Sequence, residues 1–171
     1  AIGALALGLV YISLSLGLLL SLRMSEDIRV LTNGELLLNQ PNGFYIPILI
    51  IVAIWINDTM AYLVGSAIGK TPFSKISPKK TLEGTIGGMA LCVTAMVFIL
   101  KPWFDWKILL GISIIVAVFG TSGDLLESKI KRMAGVKDSG KIMPGHGGFL
   151  DRFDSLLVAV PVVWLFLQLM K

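Results

Sequence analysis

The sequence predicts an all-α, polytopic integral membrane protein with about five transmembrane helices and one amphipathic cytoplasmic helix. Three observations carry that expectation. Of 171 residues, 55% are apolar and only 15% are charged, against about 25% charged in soluble domains. The apolar residues gather into five long runs, and the lysines and arginines lie between them. A soluble domain of this size would leave large apolar patches in water, so lipid is the expected solvent.

The first run is Ala1–Leu22. A helix rises 1.5 Å per residue and the hydrocarbon layer is about 30 Å thick, so roughly 17–25 residues make a span. This run lacks an initiating Met and a basic leader, and therefore reads as a transmembrane helix of a chain whose natural start is missing. The segment 23–43 carries Asn33-Gly34 and Pro41-Asn42-Gly43 turns among scattered charges; it reads as an external loop without chemistry. Residues 1–43 thus form an N-terminal helix and loop, and 44–171 a second transmembrane part with four spans. The second run, Phe44–Ile68, is a full span. Thr85–Leu100, Ile108–Gly123 and Ser155–Met170 are near the short limit and must borrow flanking residues or sit in thinner membrane.

Orientation follows from the basic residues. Segment 69–83 has four and segment 124–154 has six, whereas 23–43 and 101–107 have two each. The rich segments are two spans apart and can share a side, which the positive-inside bias makes cytoplasmic. The cytoplasmic loops are then 69–84 and 124–154, and the expected location is a bacterial cytoplasmic (inner) membrane. The net charge of +4 comes from these loops, with no base-reading apparatus, so no nucleic-acid partner is expected. The single cysteine, Cys92, excludes an internal disulfide and a Cys-based zinc site.

Ionisable groups in a membrane are costly unless paired or facing water. Asp58, beside Asn57, lies inside the second run and shares a helix face with Ala61, Tyr62, Gly65 and Gly69. Two readings stay open: a close helix contact through small residues with Asp58 bonded to a neighbour, or a carboxylate facing substrate. Gly65 to Gly69-Lys70-Thr71 is not a phosphate loop, because three residues, not four, separate the glycines and no strand precedes them. In Ser77-Pro78-Lys79-Lys80-Thr81, Ser77 and Pro78 suit an N-cap and first helical residue, where free N–H groups suit an anion. A merely topogenic basic loop is the alternative.

From Asp124 onward, Asp124, Glu127, Ser128 and Lys131 fall on one helical face and Leu126, Ile130 and Met133 on the other. That predicts an amphipathic helix continuing out of the fourth span along the membrane surface. A loop through Lys137-Asp138-Ser139-Gly140 and Pro144-Gly145-His146-Gly147-Gly148 should follow, and Asp154 or Ser155 should cap the last span. Capping explains one aspartate, but not Asp151, Arg152, Asp154 and Asp124 together. Converging carboxylates with lysines suit a hard divalent cation such as Mg²⁺, bound with substrate phosphate oxygens. The chemistry favoured is phosphoryl or nucleotidyl transfer, weighed against a transporter.

The run Ser128-x-Ile130-Lys131-Arg132-x4-Lys137-Asp138-x-Gly140-x3-Pro144-x-His146-Gly147-Gly148-Phe149-x-Asp151-Arg152-Phe153-Asp154 closely resembles the signature of phosphatidate cytidylyltransferases, the CDP-diacylglycerol synthases. Asn57-Asp58, Ala61-Tyr62, Gly65, Gly69-Lys70 and Ser77-Pro78-x-Lys80-Thr81-x-Glu83-Gly84 resemble that family's upstream block in the same order. Met143 departs from the usual Leu, Ile or Phe. Family members usually carry further N-terminal spans, so the resemblance implies the C-terminal portion of a longer protein.

The resemblance implies Mg²⁺-dependent transfer of CMP from CTP to phosphatidate, with membrane lipid as the medium, and suggests a homodimer. It makes Asp124 and Asp151 the candidate metal ligands. Lys131, Arg132, Lys137 and Arg152 become candidates for triphosphate or lipid phosphate, with Asp138 and Asp154 in the same catalytic run. His146 is a phosphate or loop contact, and Gly147 and Gly148 allow close backbone approach to phosphate. Lys80, Ser77 and Thr81 make a second anion contact, with Asp58 facing substrate. A CTP-dependent membrane lipid kinase and a non-enzymatic transporter or scaffold are the competing expectations.

Overall fold

The computed structural model describes residues 2–25, 42–74, 76–136, 139 and 150–170. Among them the regular structure is helical: α1 (Ile2–Arg23), α2 (Tyr45–Ile68), α3 (Leu82–Leu100), α4 (Trp106–Ile115), α5 (Thr121–Met133) and α6 (Asp154–Leu169). Short 3-10 turns at Asn42–Phe44 and Leu150–Arg152 lead into α2 and α6. The only sheet-like pairing among the described residues is one antiparallel bridge, Pro72 with Thr81. An all-α membrane protein is therefore what the sequence folds into.

Among the described residues, three helices are long and apolar enough to cross a membrane: Tyr45–Ile68, Leu82–Leu100 and the continuous Trp106–Met133; Asp154–Leu169 and the stretch Gly8–Arg23 are shorter apolar helices. The expected fourth span, 108–123, does not end at Gly123. A five-residue π-turn, Val116–Gly120, joins α4 to α5 without a break. A π-turn inserts one residue into the helical register and is frequent at functional sites. Here it rotates the polar face of α5 relative to the apolar faces of α4, and Thr121 Oγ donates to Ala117 O at 2.8 Å within it.

The apolar core is the seam where the helices meet. Ile46, Ile50, Met96, Leu109, Ile112, Val160 and Val163 are fully buried there. The outward faces are equally apolar, with Trp55, Phe98, Ile99 and Leu165 exposed. That inversion of the soluble pattern is what lipid permits.

Small residues set the closest contacts. A Cβ on Gly84 would lie 2.7 Å from Ala61 O and from Gly65 Cα, and one on Gly88 would lie 2.6 Å from Ala61 Cβ. Thus Ala61 and Gly65 of α2 seat against Gly84 and Gly88 of α3, the small-residue packing expected of membrane helices. On α5, Gly123 does the same for α6: its Cβ would meet Val158 Cγ2 at 3.0 Å and Ser155 Cα at 3.2 Å. Pro161 inside α6 has no N–H to give Leu157 O, and Ser15 Oγ of α1 donates to that carbonyl instead, at 2.7 Å.

Two helix starts differ from expectation. Ser77-Pro78 does not begin α3; Lys80 N bonds Ser77 O in a turn at 3.1 Å, and Thr81 is the N-cap, its side chain accepting from Gly84 N. The local reason is that Thr81 can cap and pair with Pro72 at once. α6 has Phe153 as N-cap, with no side-chain capping hydrogen bond; Asp154 is its first residue and accepts from Ser155 N at 2.6 Å. At the end of α5, Gly135 adopts φ 72° while Val136 N bonds Lys131 O, a glycine stop that turns the chain back.

Candidate active site

The site is built at one end of the bundle, where the loop before α3 meets α5. The loop is held by Glu83, in the first turn of α3, which accepts from Lys70 N, Thr71 N and, at 2.8 Å, Thr71 Oγ. Leu82 N to Thr71 O and Phe73 N to Lys80 O complete a short clip. The clip turns Ser77, Lys79 and Lys80 towards α2 and α5.

Beneath the clip is a cavity of about 550 Å³, lined by Asn57, Asp58, Ala61, Tyr62, Gly65 and Ser66 of α2, Ser77, Lys79, Lys80 and Thr81 of the loop, Thr85 of α3, and Thr121 and Asp124 of α5. Lys80 forms an ion pair with Asp124 across it. Burial pushes the Lys80 ammonium below its ordinary value, and the Asp58 and Asp154 carboxylates pull it back up. Asp58 is the fourteenth residue of α2, about 20 Å along the helix from its start. The cavity therefore carries polar groups from the basic rim into the depth of the bundle.

Within it an amide meets a hydroxyl and a carboxylate. Asn57, only 4% exposed, donates from Nδ2 to Thr121 Oγ at 3.4 Å and more weakly to Asp58 Oδ1 at 3.5 Å. Its Oδ1 is buried without a hydrogen-bond partner among the described residues. The small-residue helix contact expected for this face of α2 is made by Ala61 and Gly65, and Asp58 lines the cavity.

A second polar cluster lies along α5. Lys131 lies seven positions on from Asp124, about 10 Å along the axis. Lys131 Nζ sits 2.5 Å from Asp151 Oδ1 and 3.4 Å from Glu127 Oε2, all three side chains largely buried. Asp151 Oδ2 also accepts from Ser139 N at 3.1 Å and Ser139 Oγ at 2.9 Å. The polar face of α5 thus points into the protein, while Leu126, Ile130 and Met133 face outward. The helix is amphipathic and continues out of the fourth span as expected, with its apolar side exposed.

The structure brings Asp58, Ser77, Lys80, Thr81 and Asp124 to the cavity, and Lys131, Asp151 and Asp154 to the α5–α6 junction. Arg132 is on the exposed side of α5, bonding Val136 O at 3.2 Å. Lys137, Asp138, His146, Gly147 and Gly148, and the side chain of Arg152, lie outside the described residues. Glu127, Thr121, Thr85 and Glu83 join the site only in the structure. The sequence does carry a signal for Glu127: it lies one turn from both Asp124 and Lys131, and a buried carboxylate there demands a partner. Glu83 and the threonines carried no such signal, since their partners are brought in by the fold.

Among the described residues no three His, Cys, Asp or Glu side chains are grouped as a metal cage. The donor chemistry nevertheless fits a hard cation. Asp58, Asp124, Glu127, Asp151 and Asp154 are oxygen donors, Lys80 and Lys131 pair with only three of them directly, and Asn57 Oδ1 and Glu127 Oε1 are buried acceptors without partners among the described residues.

A model of the cytidylyltransferase family matches residues 1–170. The phosphatidate cytidylyltransferase of Staphylococcus aureus strain COL is 47% identical over 114 residues, covering 64% of this chain and 44% of that protein. One from Synechocystis is 42% identical over 139 residues, covering 77% and 46%, and one from Staphylococcus saprophyticus is 43% identical over 126, covering 71% and 48%. The chain spans about half the length of the curated relatives it matches.

Proposed function

Because the chain belongs to the cytidylyltransferase family, we propose that it transfers CMP from CTP to phosphatidate, giving CDP-diacylglycerol and pyrophosphate, at the cytoplasmic face of the membrane. A phosphatidate phosphate oxygen attacks the α-phosphorus of CTP. The bond from that phosphorus to the bridging oxygen breaks, and pyrophosphate leaves with the bond's electrons. The nucleophile is already an anion near neutral pH, so no strong general base is required.

The observation that supports this most is the cavity itself. It joins a basic rim, Lys79 and Lys80 beside Ser77, to carboxylates on α2 and α5, within helices that face lipid. Cations at the rim suit the triphosphate and neutralise charge that grows in the transition state. Lys131, held between Glu127 and Asp151, is the matching cation at the α5–α6 junction. The cytoplasmic orientation is supported by the two lysine-rich segments, which the Lys80–Asp124 pair brings to one end of the bundle.

Asp124 in the cavity and Asp151 beside Lys131 would each contribute to a pair of Mg²⁺ ions, with substrate oxygens completing the shells. When bound, the pair would polarise the α-phosphate and stabilise the departing pyrophosphate. Within the chain, Glu83 orders the loop, Lys80 and Lys131 supply positive charge, and Asp58 faces substrate.

Product analysis tests the proposal. Phosphatidate and CTP should yield CDP-diacylglycerol and pyrophosphate in equal amounts. CDP with a newly phosphorylated lipid would instead make the protein a lipid kinase, and no consumption of CTP would make it a transporter or scaffold.

A further inference from the structure

Asn57 is anchored in one orientation. The Thr121 hydroxyl donates its proton to Ala117 O at 2.8 Å, so towards Asn57 it can only accept, and the amide must present Nδ2 to it. Oδ1 is thereby turned away from Thr121, buried and without a partner among the described residues, in a side chain lining the cavity. The next residue, Asp58, adds a carboxylate to the same wall. This end of the cavity offers hydrogen-bond acceptors, and its one amide donor is already taken.

A buried acceptor left unmatched is costly, and a ligand that brings donors relieves the cost. With the triphosphate at the lysine rim, the base lies towards α2. Cytosine carries an exocyclic amino group, with two N–H donors, where uracil carries a carbonyl oxygen. A carboxylate accepting from that amino group is an established way of reading cytosine. The cavity volume, about 550 Å³, is within the usual range for a small-molecule site.

We propose that Asn57 and Asp58 form the base-reading subsite, accepting from the cytosine amino group and rejecting uracil by facing its carbonyl with acceptors. This rests on the cytidylyl-transfer reading and adds to it the residues that choose the nucleotide. Asp58 sits inside the membrane-spanning α2, an expensive place for a carboxylate, and this role accounts for its being there.

The test is the ratio of kcat/KM for CTP to that for UTP, with phosphatidate as acceptor. A site that leaves buried polar groups unpaired with the wrong substrate discriminates by roughly 100-fold or more. Asp58→Asn can turn an amide N–H towards the uracil carbonyl, so the ratio should fall by about 10-fold or more. Asn57→Ala should lower it in the same direction. Lys80→Ala, at the rim, should slow both nucleotides and leave the ratio within about 2-fold, because phosphate contacts are common to both.

A ratio unchanged in both Asp58→Asn and Asn57→Ala, or moved equally by Lys80→Ala, overturns the assignment. Where Asp58→Asn stops turnover, the ratio is read instead from displacement of bound labelled CTP by unlabelled CTP and UTP, with the same two outcomes. Failure of the unaltered protein to transfer label from CTP to lipid would defeat the cytidylyl reading itself, which is a different result.

Discussion

Lys80 and Asp124, 44 residues apart in sequence, form an ion pair that ties the loop before α3 to the α5 helix. The pair closes the cavity on one side and fixes where its positive and negative groups lie. It also separates two lysines that are adjacent in sequence. Lys79 lines the cavity but is exposed and makes no ion pair among the described residues.

Lys80→Ala should therefore raise KM for CTP by about 10-fold or more, the scale of a lost charge-assisted phosphate contact. Lys79→Ala should stay within about 3-fold, as an exposed charge does. Steady-state kinetics on both variants check this. Equal effects would mean that the loop acts only through its net charge.

Glu83 gives a second test, because it touches the loop and lines no part of the cavity. Glu83→Ala should free residues 69–81, seen as faster amide exchange there, and raise KM for CTP with little change in kcat. Glu83→Gln keeps an acceptor oxygen for Thr71 and should recover much of the loss. Unchanged exchange in Glu83→Ala would show that the clip does not depend on this carboxylate.

The α2–α3 contact sets the width of the cavity. Gly84→Val places a Cβ against the backbone of Ala61 and Gly65, neither of which can yield without moving a helix. Such overpacking should cost about 3 kcal/mol or more, read as a lower unfolding midpoint in detergent. Gly17→Ala on α1 meets nothing within 4 Å and should be neutral or slightly stabilising, by up to about 1 kcal/mol. Equal midpoints for the two variants would contradict the packing described.

At the α5–α6 junction, Lys131→Met would leave the Glu127 and Asp151 carboxylates without their shared cation. Breaking a buried pair from the cationic side costs about 3–5 kcal/mol. Glu127→Gln, which leaves the Lys131–Asp151 pair in place, should cost less. Unfolding midpoints of the two variants rank the effects, and the reverse order would contradict the pairing.

Much of this architecture was legible in the sequence. The apolar runs located the helices because a span must be long and uncharged, and lysine counting put the two rich segments on one side, though not the Lys80–Asp124 contact between them. The polar stripe of α5 was legible from its periodicity, but not its inward direction, which depends on the π-turn at Val116–Gly120. That turn has no composition signal. Ser77-Pro78 looked like a helix start because its local chemistry suits one; Thr81 won because it caps Gly84 N while pairing with Pro72, a tertiary arrangement. Asp58 was conspicuous as a charge in an apolar run, whereas the orphaned oxygen of Asn57 emerges only once Thr121 is packed against it.

The cytidylyl transfer proposed for the cavity, with Asp124 inside it and Asp151 at the α5–α6 junction as the Mg²⁺ ligands, is open to one direct test. The direct measurement supplies the purified protein in detergent with phosphatidate and CTP labelled in the cytosine ring, with and without Mg²⁺, and follows label into the lipid phase. Mg²⁺-dependent lipid label that is lost in both Asp124→Asn and Asp151→Asn, with each variant still folded, is the expected result. Label retained in both variants would contradict the metal assignment, and no lipid label from the unaltered full-length protein would contradict the activity.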